Sequence, residues 1–191
     1  LTAHMFDGTV LVSGLSMERP FGTAPTLSAD IVLDDMNLQS LTGVFGFGEI
    51  TGALDGSIRN LRLVDWSAEG FDADLHTDLA WKGKRRISQR AVQDLSNVGG
   101  AGGGGLGNSL QAQALKLFDD FGYRQIGISC RLAEEVCEMD GLSSAANRFI
   151  IVQGSGLPRL GVVGFNRRVD WPTLVQRLVD VTQGDSKPVF E

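Results

Sequence analysis

The sequence has 191 residues, of which 42% are hydrophobic and 21% are charged, and its formal net charge is −6. This length is enough for one hydrophobic core or one elongated sheet carrying a few helices, so residues 1–191 are expected to form a single strand-rich unit. The negative charge argues against a nucleic-acid-binding surface, because neutralising phosphates requires clustered Lys and Arg. The one compact basic cluster, at residues 82–90, is typical of a solvated loop.

The beginning of the chain predicts that it is a piece of a longer protein or a processed product. It starts at Leu1, and residues 9–12 already have the composition of a strand. The sequence contains neither a signal-peptide pattern nor an apolar run of the ~18–20 residues that a spanning helix needs. We therefore expect the signals that target the parent protein to lie outside this sequence.

Alternation of apolar and polar residues dominates the first 82 positions and predicts strands with one apolar and one polar face. It is clear at residues 27–33 and clearest at residues 71–81, where one side is apolar and the other acidic. In residues 50–58 the pair Asp55-Gly56 indicates a turn or a bulge, and the phase of the alternation flips at Asn60.

Helical spacing replaces this alternation in four windows. A short helix over 37–45, capped by Asn37, and longer amphipathic helices over 88–98, 109–121 and 171–181 are predicted. Residues 99–107 contain seven glycines and are interpreted as a flexible loop. Together these patterns predict an α+β fold that is mainly β, a curved antiparallel sheet with a few amphipathic helices packed on it.

The two cysteines lie on a predicted hairpin. If the hairpin turns symmetrically between Ala133 and Glu134, Cys130 and Cys137 lie directly opposite each other on one face, within range of a disulfide. Two free core thiols in a reducing compartment remain the alternative. The even count and the absence of a C-x-x-C motif favour the bridge, and with it the periplasm or the cell exterior.

The sequence gives little support for a catalytic site or a metal site. The glycine-rich run lacks the Lys and the Ser or Thr that must follow a phosphate-binding loop, so no nucleotide cofactor is predicted. His76 shares a predicted strand face with Asp74 and Asp78, but three nearly collinear side chains cannot surround a cation, and no metal site is predicted. No nucleophile elbow is present, and the chain is expected not to be an enzyme. A pair of carboxylates acting on envelope polymers is the remaining catalytic hypothesis.

Two stretches resemble a known family. Residues 38–63, which include the run Gly48-Glu49-Ile50-Thr51-Gly52-Ala53-Leu54-Asp55-Gly56, resemble a repeated element of the AsmA-like superfamily, of the TamB and YdbH type. Residues 87–130 and 162–174 look like the C-terminal end of long proteobacterial proteins of this type. The resemblance implies a periplasmic body, a membrane anchor in a part of the parent protein absent here, and a long curved sheet whose apolar face conducts phospholipid between membranes.

The alternating strands permit this function independently of the resemblance. Apolar side chains at alternate positions of separate strands fall on one face, and the predicted helices are too few to cover it fully. The residues expected to contact phospholipid or another acyl-chain ligand are Ile31, Leu33, Ile58, Leu75, Leu79 and Ile128. If the helices do cover the sheet, the chain is instead a structural or interaction module that docks an outer-membrane or periplasmic protein.

Overall fold

The structure is a computed structural model and describes residues 1–100, 118–145, 148–157 and 159–182. Within these ranges it contains thirteen strands and three helices, which confirms the mainly-β α+β class. The strands are β1 Thr2–Met5, β2 Gly8–Glu18, β3 Thr26–Asn37, β4 Ile50–Thr51, β5 Ala53–Val64, β6 Ser67–Thr77, β7 Arg86–Ser88, β8 Asp120–Ala133, β9 Val136–Gly141, β10 Ser143–Ala145, β11 Arg148–Gly154, β12 Gly161–Gly164 and β13 Arg168–Asp170. The helices are α1 Leu38–Phe45, α2 Gln89–Val98 and α3 Trp171–Thr182.

The strands form one open sheet in the order β1-β2-β3-β5-β6-β8-β11-β10. Off this path, β9 and β7 pair with other parts of β8, β4 pairs with β7, β12 with β11 and β13 with β9. All strand pairs in the described residues are antiparallel. The first half of the sheet is therefore a meander in chain order, whereas in the second half strands that are distant in the chain pair with each other.

Tight hairpins set the register of this meander. Three two-residue turns have positive φ at both central residues, as the primed turns that suit twisted strands require. They are Phe6-Asp7 between β1 and β2, Asp65-Trp66 between β5 and β6, and Glu134-Glu135 between β8 and β9.

Two β-bulges shift the alternation along β3 and β5. Asn60 has a φ of 54° and its backbone N–H donates to Asp30 Oδ1 at 2.7 Å, which confirms the predicted phase flip. The second bulge lies in β3 at Asp35, whose N–H donates to Asp55 Oδ1 at 2.9 Å. Asp55 and Gly56 continue β5, so the bulge predicted near them lies instead in β3, the strand that pairs with them.

The cap predicted at Asn37 begins the first helix. The Asn37 side chain accepts hydrogen bonds from the backbone N–H groups of Gln39 and Ser40, at 3.0 and 3.1 Å, and so begins α1. Gly46 ends the helix in the left-handed conformation, with a φ of 64°.

The helices predicted over 88–98 and 171–181 are confirmed as α2 and α3. Residues 109–117 of the helix predicted over 109–121 lie outside the described residues. Its predicted end is wrong, because Asp120 and Phe121 begin β8, where they pair with Ser88 and Ile87 of β7. Residues 101–107 of the predicted glycine-rich loop also lie outside the described part of the chain.

The hydrophobic core lies over the second half of the sheet. Helices α2 and α3 bury Ala91, Val92, Leu95 and Leu174 against a group of strand residues. These strand residues are Ile50, Ile87, Phe121, Tyr123, Ile126, Cys137, Met139, Phe149, Ile151, Val152, Val162 and Val169, and Leu160, which directly precedes β12, joins them. Among the described residues, the buried cluster contains none from β1, β2, β3 or β6, so those strands lie outside the main core.

Candidate lipid-binding surface

Five of the six residues predicted to contact lipid lie on one face of the sheet. Strand register aligns them in two neighbouring rows that each cross six strands, and we call this surface the apolar face. The first row is Val12, Ile31, Ile58, Ala73, Cys130 and Met139, and the second is Val10, Leu33, Gly56, Leu75, Ile128 and Gly141.

Most of the apolar face is only half buried. Ile31, Leu33, Ile58 and Leu75 are partly exposed and do not belong to the core cluster, whereas Ile128 packs against it. Burial thus increases from β2 and β3 toward β8 and β9. The sequence prediction missed Val10 and Val12, although residues 9–12 were recognised as a strand.

Helix α3 borders this face. At its start, Trp171 packs edge-on against Phe71 of β6, with 5.2 Å between ring centroids. At its end, the Thr182 carbonyl lies beside Gly46, the residue that ends α1. Leu174 and Val181 are buried beneath the helix.

Three further apolar residues of α3 are only partly covered. Val175, Leu178 and Val179 are each 36–37% exposed, although an amphipathic helix usually buries such residues.

Leu79 does not belong to the apolar face, because β6 ends at Thr77 and not at residue 81. The Asp78 side chain accepts the N–H of Ala80 at 2.7 Å and turns the chain out of the sheet. The Arg85 guanidinium then donates to the carbonyls of Asp78, Leu79 and Trp81, at 3.1, 2.8 and 2.9 Å. Leu79 lies in the resulting compact loop and is 57% exposed.

The opposite face is charged on β5, β6, β8 and β9, whereas on β2 and β3 it presents the exposed side chains of Leu11 and Val32. One register row crosses five strands with alternating sign, and its members are Arg59, Asp72, Arg131, Glu138 and Arg168. Arg131 Nε donates to Asp72 Oδ1 at 2.8 Å, and Asn60 donates to the other oxygen at 3.2 Å. These hydrogen bonds, that of Arg131 foremost, hold the pKa of Asp72 below its usual value.

A shallow concavity of about 650 Å³ lies over this row and the next, which contains Asp74 and Asp140. Arg167 pairs with Asp140 at 2.7 Å, so opposite charges are largely matched across the surface. We call this surface the polar face. Its matched charges contrast with the aliphatic side chains on the other side of the same strands.

The three side chains considered as a metal site, His76, Asp74 and Asp78, do not come together. His76 Nδ1 lies 3.0 Å from Asp74 Oδ1, but Asp78 lies beyond the end of β6, in the loop. Within the described ranges, no group of three or more His, Cys, Asp or Glu side chains is placed to hold a metal ion.

Cys130 and Cys137 form a disulfide, with 5.6 Å between their Cα atoms. The predicted register of the hairpin was wrong, because its turn is centred one residue later than predicted. Because Glu134 and Glu135 form the turn, Cys137 pairs with Leu132, and the bridge crosses the hairpin diagonally. A structural disulfide indicates an oxidising, non-cytoplasmic compartment.

None of the helices in the described ranges is both long enough and apolar enough to cross a bilayer. No protein-family model matches the chain, and neither a curated protein nor a solved structure is significantly similar to it.

Proposed function

We propose that this chain is a periplasmic, non-catalytic segment that handles lipid, and that its apolar face accepts the acyl chains of a phospholipid. The observation that carries the proposal is the pair of aligned rows across six strands, whose aliphatic side chains stay partly exposed on β2, β3, β5 and β6. Contiguous apolar surface of this kind is unusual unless it binds something.

The energetics favour an acyl chain as the ligand. Each methylene group removed from water contributes about 0.8 kcal/mol, so covering five of them would contribute about 4 kcal/mol before entropic costs. The rows contain no charged side chain, and the matched charges of the polar face lie on the other side of the sheet. An acyl chain needs no polar partner, and this face offers it none.

The resemblance to the AsmA-like superfamily supports a place for this segment in the bacterial envelope. In that proposal the chain is the C-terminal part of a longer protein that moves phospholipid between the membranes, and its anchor lies elsewhere in the parent. The disulfide agrees with an oxidising compartment, of which the periplasm is one.

A second candidate function is an interaction module that docks an envelope protein. It is favoured by two exposed aromatic side chains at hairpin tips, Phe21 at 101% and Trp66 at 68% exposure. The N–H of Asp65 donates to the Pro25 carbonyl at 3.0 Å and brings the two tips together. Exposed aromatics of this kind are frequent anchors of protein interfaces.

Photo-crosslinking separates the two candidates. A crosslinking amino acid at Ile58 or Leu75 should capture phospholipid when the chain is expressed in the periplasm, and mass spectrometry of the adducts would identify it. Matched positions at Ser57 and Asp74 lie next to them on the polar face and should not. Equal labelling of both faces, or of neither, would contradict lipid binding, and protein adducts at Phe21 or Trp66 would then support the docking module.

A further inference from the structure

A second surface lies at the end of the sheet where β6 ends and β8 begins. Two loops there form a concavity of about 450 Å³, which we call the basic concavity. It is lined by Lys84, Arg85 and Arg86 from one loop, by Gly122 and Tyr123 of β8, and by Ser155, Gly156 and Leu157 from the other loop. The N–H of Ser155 donates to the Gly122 carbonyl at 2.9 Å and fixes the second loop on the sheet.

The basic concavity carries positive charge that the described part of the chain does not neutralise. Arg86 pairs with Asp120, but neither Lys84 nor Arg85 has a carboxylate within 4 Å among the described residues. Arg85 is held rigidly, because its guanidinium donates to three loop carbonyls that carry no formal charge.

Tyr123 adds no negative charge to this surface. Its hydroxyl donates to the Thr51 carbonyl at 2.7 Å, and burial raises its pKa to about 12. A patch of unneutralised positive charge in a chain of net charge −6 is suited to an anionic partner.

Exposed leucines extend from both loops. Leu157 lines the basic concavity and is 98% exposed, and Leu79, in the loop that Arg85 holds together, is 57% exposed. A site that binds only free phosphate would gain nothing from leucine side chains exposed to water. Apolar side chains beside cations are typical of surfaces that lie in the interface of an anionic membrane, where the leucines enter the acyl boundary.

We propose that the basic concavity docks the protein on an anionic membrane surface, with Lys84 and Arg85 against lipid phosphates and Leu79 and Leu157 inserted between headgroups. The docking surface is separate from the apolar face and is tested independently of it.

Vesicle co-sedimentation of the purified 191-residue chain tests the proposal. Binding to vesicles of phosphatidylcholine with 30% phosphatidylglycerol should exceed binding to pure phosphatidylcholine, and should weaken as salt is raised from about 0.1 to 0.5 M. The substitution Lys84→Glu should lower the partition coefficient by about tenfold or more, since each cation near such a surface contributes roughly a fivefold gain. Leu157→Ser should lower it by several-fold.

Two matched variants control for charge and exposure. Arg59→Glu reverses an exposed charge on the polar face, and Phe21→Ser removes an equally exposed apolar side chain, and both should bind vesicles like the parent. Equal loss in Lys84→Glu and Arg59→Glu would overturn the proposal in favour of non-specific attraction. Absence of vesicle binding, or competition by millimolar inorganic phosphate that abolishes it, would overturn it too. Crosslinking at Ile58 reports on the apolar face whatever the vesicles show.

Discussion

Opening the disulfide between Cys130 and Cys137 should lower stability by an amount that the structure allows us to calculate. The bridge closes a loop with a sequence separation of 7. In the chain-entropy model, a loop of this size contributes about 2.5 kcal/mol, mainly by restricting the unfolded chain. For a chain of this length, that corresponds to a fall of about 5–10 °C in the melting temperature.

The assay is thermal unfolding followed by circular dichroism, with and without reductant, beside the double variant Cys130→Ala and Cys137→Ala. Cys137 is fully buried and Cys130 only partly, so alanine at both sites adds a small packing loss to the effect of the lost bridge. Thiol titration of the denatured, unreduced protein should find no free thiol. A reduced protein that melts within about 1 °C of the oxidised one would refute the entropic reasoning.

Two further predictions concern packing around α2. Asp94 is buried, its Oδ2 accepts no hydrogen bond from the described residues, and Arg90 Nε lies 3.7 Å from this oxygen. Burial raises the pKa of Asp94. As the pH rises past 3.8, this carboxyl ionises in the unfolded state before it does in the folded state, so the free energy of unfolding falls. Asp94→Asn should therefore raise the free energy of unfolding by about 1–2 kcal/mol at pH 7 and leave it unchanged near pH 3, as measured by urea unfolding. An equal gain at both pH values would contradict this. Gly48 has a φ of 65°, and a Cβ added there would overlap the Ala91 backbone, so Gly48→Ala should lower the free energy of unfolding by about 2 kcal/mol or more. At Gly43 an added Cβ meets nothing within 4 Å among the described residues, so Gly43→Ala should not destabilise the protein.

The sequence predicted the faces of the strands better than the places where strands end. Alternation reveals which residues share a face, and the shift at Asn60 was visible because it exchanges the two faces. The end of β6 was not visible, because Leu79 and Trp81 continue the alternation after the strand stops. The strand ends because the Asp78 carboxylate accepts the N–H of Ala80 and the Arg85 guanidinium donates to three backbone carbonyls, and no periodicity in the sequence encodes these hydrogen bonds.

The register of the cysteine hairpin depended on one turn. The prediction centred the hairpin between Ala133 and Glu134, where the two cysteines face each other, whereas the turn has its centre between Glu134 and Glu135, both of which adopt the positive φ that glutamate rarely has. The bridge forms in spite of the shifted register, because diagonal neighbours on one strand face also come close enough to join. The pairing of Asp120 and Phe121 with β7 is a long-range contact that the helical spacing of residues 109–121 conceals.

The meander order of the first strands has a consequence for synthesis of the chain. Strands β1, β2, β3, β5 and β6 each pair with the strand made just before or after, apart from the brief excursion through α1 and β4, so this half is built from local contacts of the kind that form quickly. The core strands β11, β12 and β13 leave the ribosome last. The partly exposed apolar residues of the meander are therefore synthesised before β8, β9 and β11, the strands that supply most of the main core.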